Sequence, residues 1–337
     1  MKYQKIWVTA PWEIELAEDN FDEKITDPHE IIVKNMYSHL SAGTEMACVA
    51  GIEDWFELPN VPGYTAIGKI LEKGDAVEHV EVGDIVYTFG PHAGIFKVNT
   101  TDRWHGVCVK VPHGLDPDIA AFTHMGGIAM SSLRKSNIEL GDYVVVSGMG
   151  TIGNLAAQFA QLQGARVMGI DIVDNRLEIA KQCGIDEILN PNTRDIEEAV
   201  GKFTGGGKVT TWIDATGVSA VINDAVNHIE NNGELILLGS PRAAFETDIT
   251  PLLRKIHLIE NISVKGALEF LFPTHENDFI KHSIERNSKI IMDLMNEAKL
   301  KIKPLYSHKL KPEDAASAYI GLRDRPDEYV GVVFSWI

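Results

Sequence analysis

The chain has 337 residues, 45% of them hydrophobic and 23% charged, the texture of a globular protein long enough for two cores. A formal net charge of −17 opposes docking on a phosphate backbone. No segment approaches the roughly 18 consecutive apolar residues of a membrane span, so neither nucleic acid nor a bilayer is an expected partner.

Residues 1–120 read as β-rich. Runs of branched apolar residues at 31–35 and 67–71 predict short strands, and Pro59, Pro62, Gly63, Gly83, Asp84, Gly90 and Pro91 punctuate them with turns. Beyond Pro117 the pattern changes to helix alternating with apolar strand. Strands are expected at 143–146, 166–170, 210–214, 234–238 and 262–264, with helices at 152–162 and around 175–183, 195–203 and 219–230. Such alternation builds an α/β domain, a doubly wound parallel sheet covered on both faces. The tail predicts a long helix over about 277–298, a short one over about 312–323 and a strand at 331–334. Cys48, Cys108 and Cys183 lie too far apart for a disulfide framework, and the N-terminal apolar stretch is too short for a secretion signal. A cytoplasmic protein is expected.

The strongest chemical signal follows the run 143–146. Gly148, Gly150 and Gly153 stand in G-x-G-x-x-G spacing, between a strand and a helix. Gly148 permits the tight turn, Gly150 lets backbone N–H groups approach a pyrophosphate, and Gly153 lets the helix pack on the strand. The helix N-terminus, opening at Ile152, presents partial positive charge to phosphates. Asp171 ends the second strand, where a carboxylate accepts hydrogen bonds from the adenosine ribose and repels a 2′-phosphate. NAD is therefore expected rather than NADP.

Together these features resemble the medium-chain dehydrogenase/reductase superfamily, the zinc-type alcohol dehydrogenase-like proteins, over essentially the whole chain. Pro62-Gly63-Tyr64-Thr65-Ala66-Ile67-Gly68 is similar to the family's G-H-E-x-x-G segment, and Val82-Gly83-Asp84-Ile85-Val86 to its P-G-D-x-V turn. Asp214-Ala215-Thr216-Gly217 and Leu238-Gly239-Ser240-Pro241 resemble the stretches that line the nicotinamide, and residues 310–319 the helix that closes the fold. The resemblance implies a GroES-like catalytic domain over 1–122, a Rossmann dinucleotide-binding domain over 123–266 and a return to the catalytic domain over 267–337. It also implies that Ile172 lies against the adenine and Arg176 at the ribose edge. Thr216 and Gly217 would pass the cofactor, Leu238, Gly239 and Ser240 would meet the nicotinamide, and the backbone of Gly266 and Ala267 would bond its carboxamide.

The departures carry the chemistry. Zinc-bearing members take a first ligand from the Cys of C-G-[ST]-[DE] and a second from the His of G-H-E; here Ala42 and Tyr64 hold those places, with Thr123 or His124 near the third. Alanine has no lone pair and a neutral phenol is a poor ligand, so no catalytic zinc is expected, and the four-cysteine lobe of a structural zinc is missing. Ser41-Ala42-Gly43-Thr44-Glu45, Gly63-Tyr64 and Gly90-Pro91-His92-Ala93 resemble a zinc-lacking branch typified by bacteriochlorophyllide a dehydrogenase. Without the metal, a side chain must bind the reacting oxygen and manage its proton. Tyr64 is a candidate donor, Thr44 a hydroxyl relay, and His92 and His124 groups that pass protons near neutrality. Structural readings stand beside these: Tyr64 filling the zinc void, Thr44 bonded to backbone, His92 and His124 as caps. Glu45 reads as an orienting group, and His39, His79, His105 and Cys48 as structural.

The expected activity is zinc-independent, NAD-dependent interconversion of a small-molecule secondary alcohol (polyol, sugar or cyclitol) and its ketone, by a homodimer or homotetramer. A reductase of enones or quinones, and a nucleotide-binding protein with lapsed catalysis, are the alternatives.

Overall fold

The computed structural model describes residues 1–337, which divide into two compact units: 1–124 with 272–337, and 125–271.

The second unit is a parallel sheet of six strands in the order Glu187–Leu189, Arg166–Ile170, Tyr143–Ser147, Val209–Asp214, Ile229–Leu237, Ser263–Gly266. Chain order reverses between Tyr143–Ser147 and Val209–Asp214, the switch point at which doubly wound sheets bind ligands beyond the strand ends. The central strands are apolar throughout because helices cover both faces: Val144, Val145 and Val146 are wholly buried. Trp212 is the largest side chain of its core, packed with Val145, Met168, Ile229 and Leu235. Helix Thr151–Leu162 follows the glycine turn, Asp174–Gln182 the second strand and Ile196–Thr204 the third. The last is capped by Asp195, whose side chain accepts from the Glu198 N–H, and stopped by Gly205 at φ 76°.

The first unit is built mostly on antiparallel pairing, with a hairpin of Lys2–Ala10 and Glu13–Asn20 and a seven-stranded sheet in which Tyr306–Leu310 runs parallel to Gly331–Ser335. In that sheet Tyr306–Leu310, Gly331–Ser335, Glu30–Leu40, Ala66–Lys73, Ile85–Thr88 and Cys108–Lys110 follow one another, and Ile95–Asn99 also pairs with Glu30–Leu40. The C-terminal strand pairs Val333 with His39, so the chain's tail does return to the N-terminal sheet. The mixed architecture matches the expected fold class, a Rossmann-like parallel sheet with a β-rich partner.

Two predicted helices were too long. That expected over 219–230 ends at Ala225, and the next strand begins at Ile229. Ile222, Ala225, Val226 and Ile229 keep helical apolar spacing, but the chain turns at Asn227 and His228, and the His228 carbonyl accepts from the Val209 N–H. The helix expected over 277–298 spans Ile284–Asn296, because the Ser283 hydroxyl caps it by accepting from the Arg286 N–H at 3.1 Å. Before that cap the chain makes an Asn277–Ile280 bridge. The strand expected over 31–35 is also part of a longer one, Glu30–Leu40.

Truncating Trp212 leaves a hole that the surrounding strands cannot close. Trp212→Ala is expected to cost about 3–5 kcal/mol, read as a lower denaturant midpoint for the nucleotide-fold unit.

Candidate active site

The glycine turn has the geometry that its sequence requires. Gly148 sits at φ 88°, a conformation that side-chain-bearing residues rarely adopt. A Cβ on Gly153 would collide with the Gly148 carbonyl oxygen, so this helix can approach the turn only as glycine. Gly150 is different: a Cβ there would meet open space, leaving its backbone accessible to a phosphate. Ile152 follows in the first turn of the helix.

Asp171 is buried at the end of the second strand. Its Oδ2 accepts from the Met149 N–H at 2.7 Å and its Oδ1 from the Val173 N–H at 2.9 Å. The carboxylate thus pins the glycine turn while keeping lone pairs for a further donor. Arg176 Nη1 stands 3.8 Å from the same Oδ2, and Ile172 beside it is 66% exposed, an uncovered apolar surface. Across the switch point, Gly217 lies at φ 65°, where a Cβ would strike the Ser240 carbonyl, and a Cβ on Gly239 would strike the Gly217 N–H. Leu238 and Gly239 both donate their N–H groups to the Asp214 carbonyl, at 2.9 and 2.7 Å. Gly266 ends the last strand with open space at its Cβ position, while Ala267 donates to Leu237 and accepts from Ser131 Oγ at 2.7 Å. These residues fit a dinucleotide: an open turn, a buried acid and loops held close by missing side chains.

In the first unit, sheet register gathers the chemical groups. Ser38 opposes Ala66, and Ala66 opposes Thr88. One residue further, on the opposite face, His39, Thr65 and Phe89 come together. His124 lies against this face, stacked on Phe89 at 4.1 Å and edge-on to Tyr64 at 4.9 Å. Its Nδ1 is 2.9 Å from the Tyr64 carbonyl and 3.1 Å from Thr65 Oγ. A carbonyl only accepts, so Nδ1 carries the proton and the neutral ring has its lone pair on Nε2. Tyr64 and His124 are therefore neighbours, although 60 residues separate them in sequence. Thr44, half-buried, opens the short helix Thr44–Val49, which sequence reading had not anticipated.

His92 belongs to a different group. Its ring is wholly buried, with Nδ1 2.7 Å from Ser38 Oγ and Nε2 2.8 Å from Glu45 Oε1. Tyr319 donates a short hydrogen bond to the same Glu45 oxygen, and Trp336 Nε1 donates to Ser38 Oγ at 2.9 Å. Neither the turn cap nor the solvent-linked proton carrier expected for His92 matches this enclosure; it is a brace among strand, helix and C-terminal segment. Burial first, and then the charge on Glu45, raise the Tyr319 phenol well above its ordinary range, so it acts as a donor only. Sequence reading missed Tyr319 and Ser38 because their partners are remote along the chain. No group of three or more His, Cys, Asp or Glu side chains is placed to hold a metal ion.

His39, read from sequence as structural, is 2% exposed, edge-on to Phe122 at 4.6 Å, and neither ring nitrogen has a hydrogen-bond partner. Burial, followed by the nearby His92 and His124, lowers its pKa to about 3.

The family described as zinc-binding dehydrogenase matches residues 151–281. A D-guloside 3-dehydrogenase of Escherichia coli is 31% identical over 174 residues, which are 51% of this chain and 49% of that relative. The match thus spans about half the length of that relative. An uncharacterised zinc-type alcohol dehydrogenase-like protein of Haemophilus influenzae is 22% identical over 98% of both chains. Among solved structures, galactitol-1-phosphate dehydrogenase from Escherichia coli superposes with a TM-score of 0.84 at 19% identity, covering 98% of this chain and 99% of that one.

The depressed pKa of His39 has a definite sign. The unfolded ring takes up a proton near 6.5 and the folded one near 3, so stability is full above about 6.5 and falls as pH drops between these values. Going from pH 7 to pH 5 should cost about 2 kcal/mol through this residue. His39→Leu should flatten that slope, measured as denaturant midpoints at several pH values.

Proposed function

We propose, for a chain that belongs to the zinc-type alcohol dehydrogenase-like superfamily of medium-chain dehydrogenases, a zinc-independent, NAD-dependent oxidoreductase acting on a secondary alcohol of the polyol, sugar or cyclitol type. The observation that carries this reading is the glycine turn pinned by Asp171, with Tyr64 and His124 side by side in the first unit. Gly148, Gly150, Ile152 and Gly153 would hold the pyrophosphate. Asp171 and Arg176 would hold the adenosine ribose, and Ile172 the adenine face. Thr216, Gly217, Leu238, Gly239, Ser240 and the backbone at Gly266 and Ala267 would line the nicotinamide half. The carboxylate of Asp171 disfavours a 2′-phosphate by like charge, which supports NAD over NADP.

Bound nicotinamide would supply the hydride acceptor for the alcohol carbon, and the proton would fall to this chain's own residues. In this reading the Tyr64 hydroxyl donates a hydrogen bond to the reacting oxygen and stabilises its developing negative charge. His124 takes the proton on Nε2, with its tautomer fixed by the Tyr64 carbonyl. Thr44 shares that proton route through its hydroxyl. His92 has no place in it, since both its ring nitrogens are committed to Ser38 and Glu45. Zinc independence is supported by the donor set: a methyl at Ala42 and a phenol at Tyr64 supply no thiolate or imidazole. The sugar reading leans on the D-guloside 3-dehydrogenase relative, 31% identical over 51% of this chain.

An open edge supports self-association. Strand Ser263–Gly266 ends the parallel sheet with Val264 41% exposed, and Leu258 and Ile259 are exposed shortly before it. We propose a homodimer, or a tetramer of such pairs, through this edge, with sedimentation of the purified chain as its check.

Purified protein incubated with NAD⁺ and a panel of polyols and simple secondary alcohols should accumulate reduced cofactor, before and after dialysis against a chelator. NADP⁺ should serve less well. Tyr64→Phe should lower kcat by about 10²-fold with little change in the affinity for NADH. One tightly held zinc per subunit, lost together with activity on chelation, would refute zinc independence. Turnover of enones with NADPH and of no alcohol would favour the reductase instead.

A further inference from the structure

Asp214 ends the strand beside the glycine turn and is wholly buried. Four donors converge on its side chain. Ser147 Oγ donates to Oδ1 at 2.9 Å, Thr216 Oγ at 2.6 Å and the Thr216 N–H at 3.3 Å. The Gly217 N–H donates to Oδ2 at 2.9 Å. Ser147 is itself fixed by Trp212 Nε1 at 3.1 Å, and the Asp214 main-chain carbonyl takes the N–H groups of Leu238 and Gly239.

One residue therefore ties together three chain segments: the strand end leading into the glycine turn, the turn 215–217, and the segment after strand Ile229–Leu237. No side chain separates the three. A Cβ on Gly148 would touch Ala215 and Thr216, and those on Gly217 and Gly239 would strike Ser240 and Gly217. Contacts so close leave the spacing of the backbones to hydrogen bonds, and the carboxylate supplies four of them. An acceptor-only group is required, because every atom facing it is a donor.

We propose that Asp214 is a positioning residue for the nicotinamide half of the cofactor, a latch that holds turn 215–217 and the Leu238–Ser240 segment in register. The inference rests on the nucleotide reading above. Strand order gives it a direction. Asp171 follows the strand on one side of the glycine turn and Asp214 ends the strand on the other. In a doubly wound sheet the two mononucleotide halves lie on opposite sides of the switch point, so Asp171 serves the adenosine half and Asp214 the other.

Asp214→Asn tests this with nearly unchanged volume. Its carbonyl oxygen can replace Oδ1, but the amide nitrogen then points a donor at the Gly217 N–H. Binding of NADH, followed by fluorescence, should weaken at least about 10-fold, the equivalent of one lost charge-assisted hydrogen bond. Binding of ADP-ribose, which lacks the nicotinamide, should change less than about 3-fold by calorimetry. Thr216→Val, which keeps the shape and removes one donor, should weaken NADH by an intermediate factor, and it serves as the test if the Asn variant does not fold. Equal weakening of both ligands, or of neither, would overturn the latch. Failure of the unaltered protein to bind either one would sink the nucleotide reading and the latch with it, whereas unaltered NADH binding in both variants sinks the latch alone.

Discussion

The nucleotide fold turns on one close approach, that of the start of helix Thr151–Leu162 to the Gly148 carbonyl. There is no room for a single carbon between them, as the collision of a Cβ on Gly153 with that oxygen makes plain. Because the helix starts there and nowhere further out, its first N–H groups face outward past Gly150, and Asp171 can reach back to the Met149 N–H. Charge, turn and helix dipole then converge on one spot, and all of that follows from an absent methyl group.

The β-rich unit is governed by a different constraint, the satisfaction of buried polar groups. Glu45, buried on a short helix, accepts from His92 and Tyr319, and neither of those donors has solvent as an alternative. Removing any one member strands the others, so the group acts as a brace rather than a chemical reserve. Beside it, His39 keeps two unsatisfied nitrogens in the same core, and its lowered pKa makes this unit lose stability in acid. The contrast between two neighbouring histidines, one fully bonded and one without partners, comes from strand alternation: Ser38 and His39 point to opposite faces of one strand.

The legibility of the sequence followed the same division. A glycine forced by backbone geometry can be read locally, and so can the acid that ends the next strand; the nucleotide half was visible for that reason. Helical spacing misled where a turn interrupted it, since Ile229 is apolar in phase with Ile222, Ala225 and Val226 although it begins a strand. The partners of His92 could not be read at all. His92 meets Glu45 across 47 positions and Tyr319 meets Glu45 across 274, and only tertiary pairing creates such neighbours. Asp214 lay between these cases: an Asp followed by Ala-Thr-Gly is a turn signature, but the Ser147 and Trp212 contacts that enlarge its part are invisible locally.

This division bears on how such a chain can change its chemistry. The nucleotide half is held mostly by main-chain groups and missing side chains, so a substitution there breaks the architecture before it alters preference. Tyr64 and Thr65 instead lead into a strand whose register is fixed by backbone pairing, and His124 lies against them. Exchanging a side chain at such a position leaves the strands paired and the glycine turn untouched. The Tyr64 carbonyl and the Thr65 hydroxyl hold His124 through its Nδ1. The antiparallel face thus varies by side chain, while the parallel-sheet turn is set by backbone geometry.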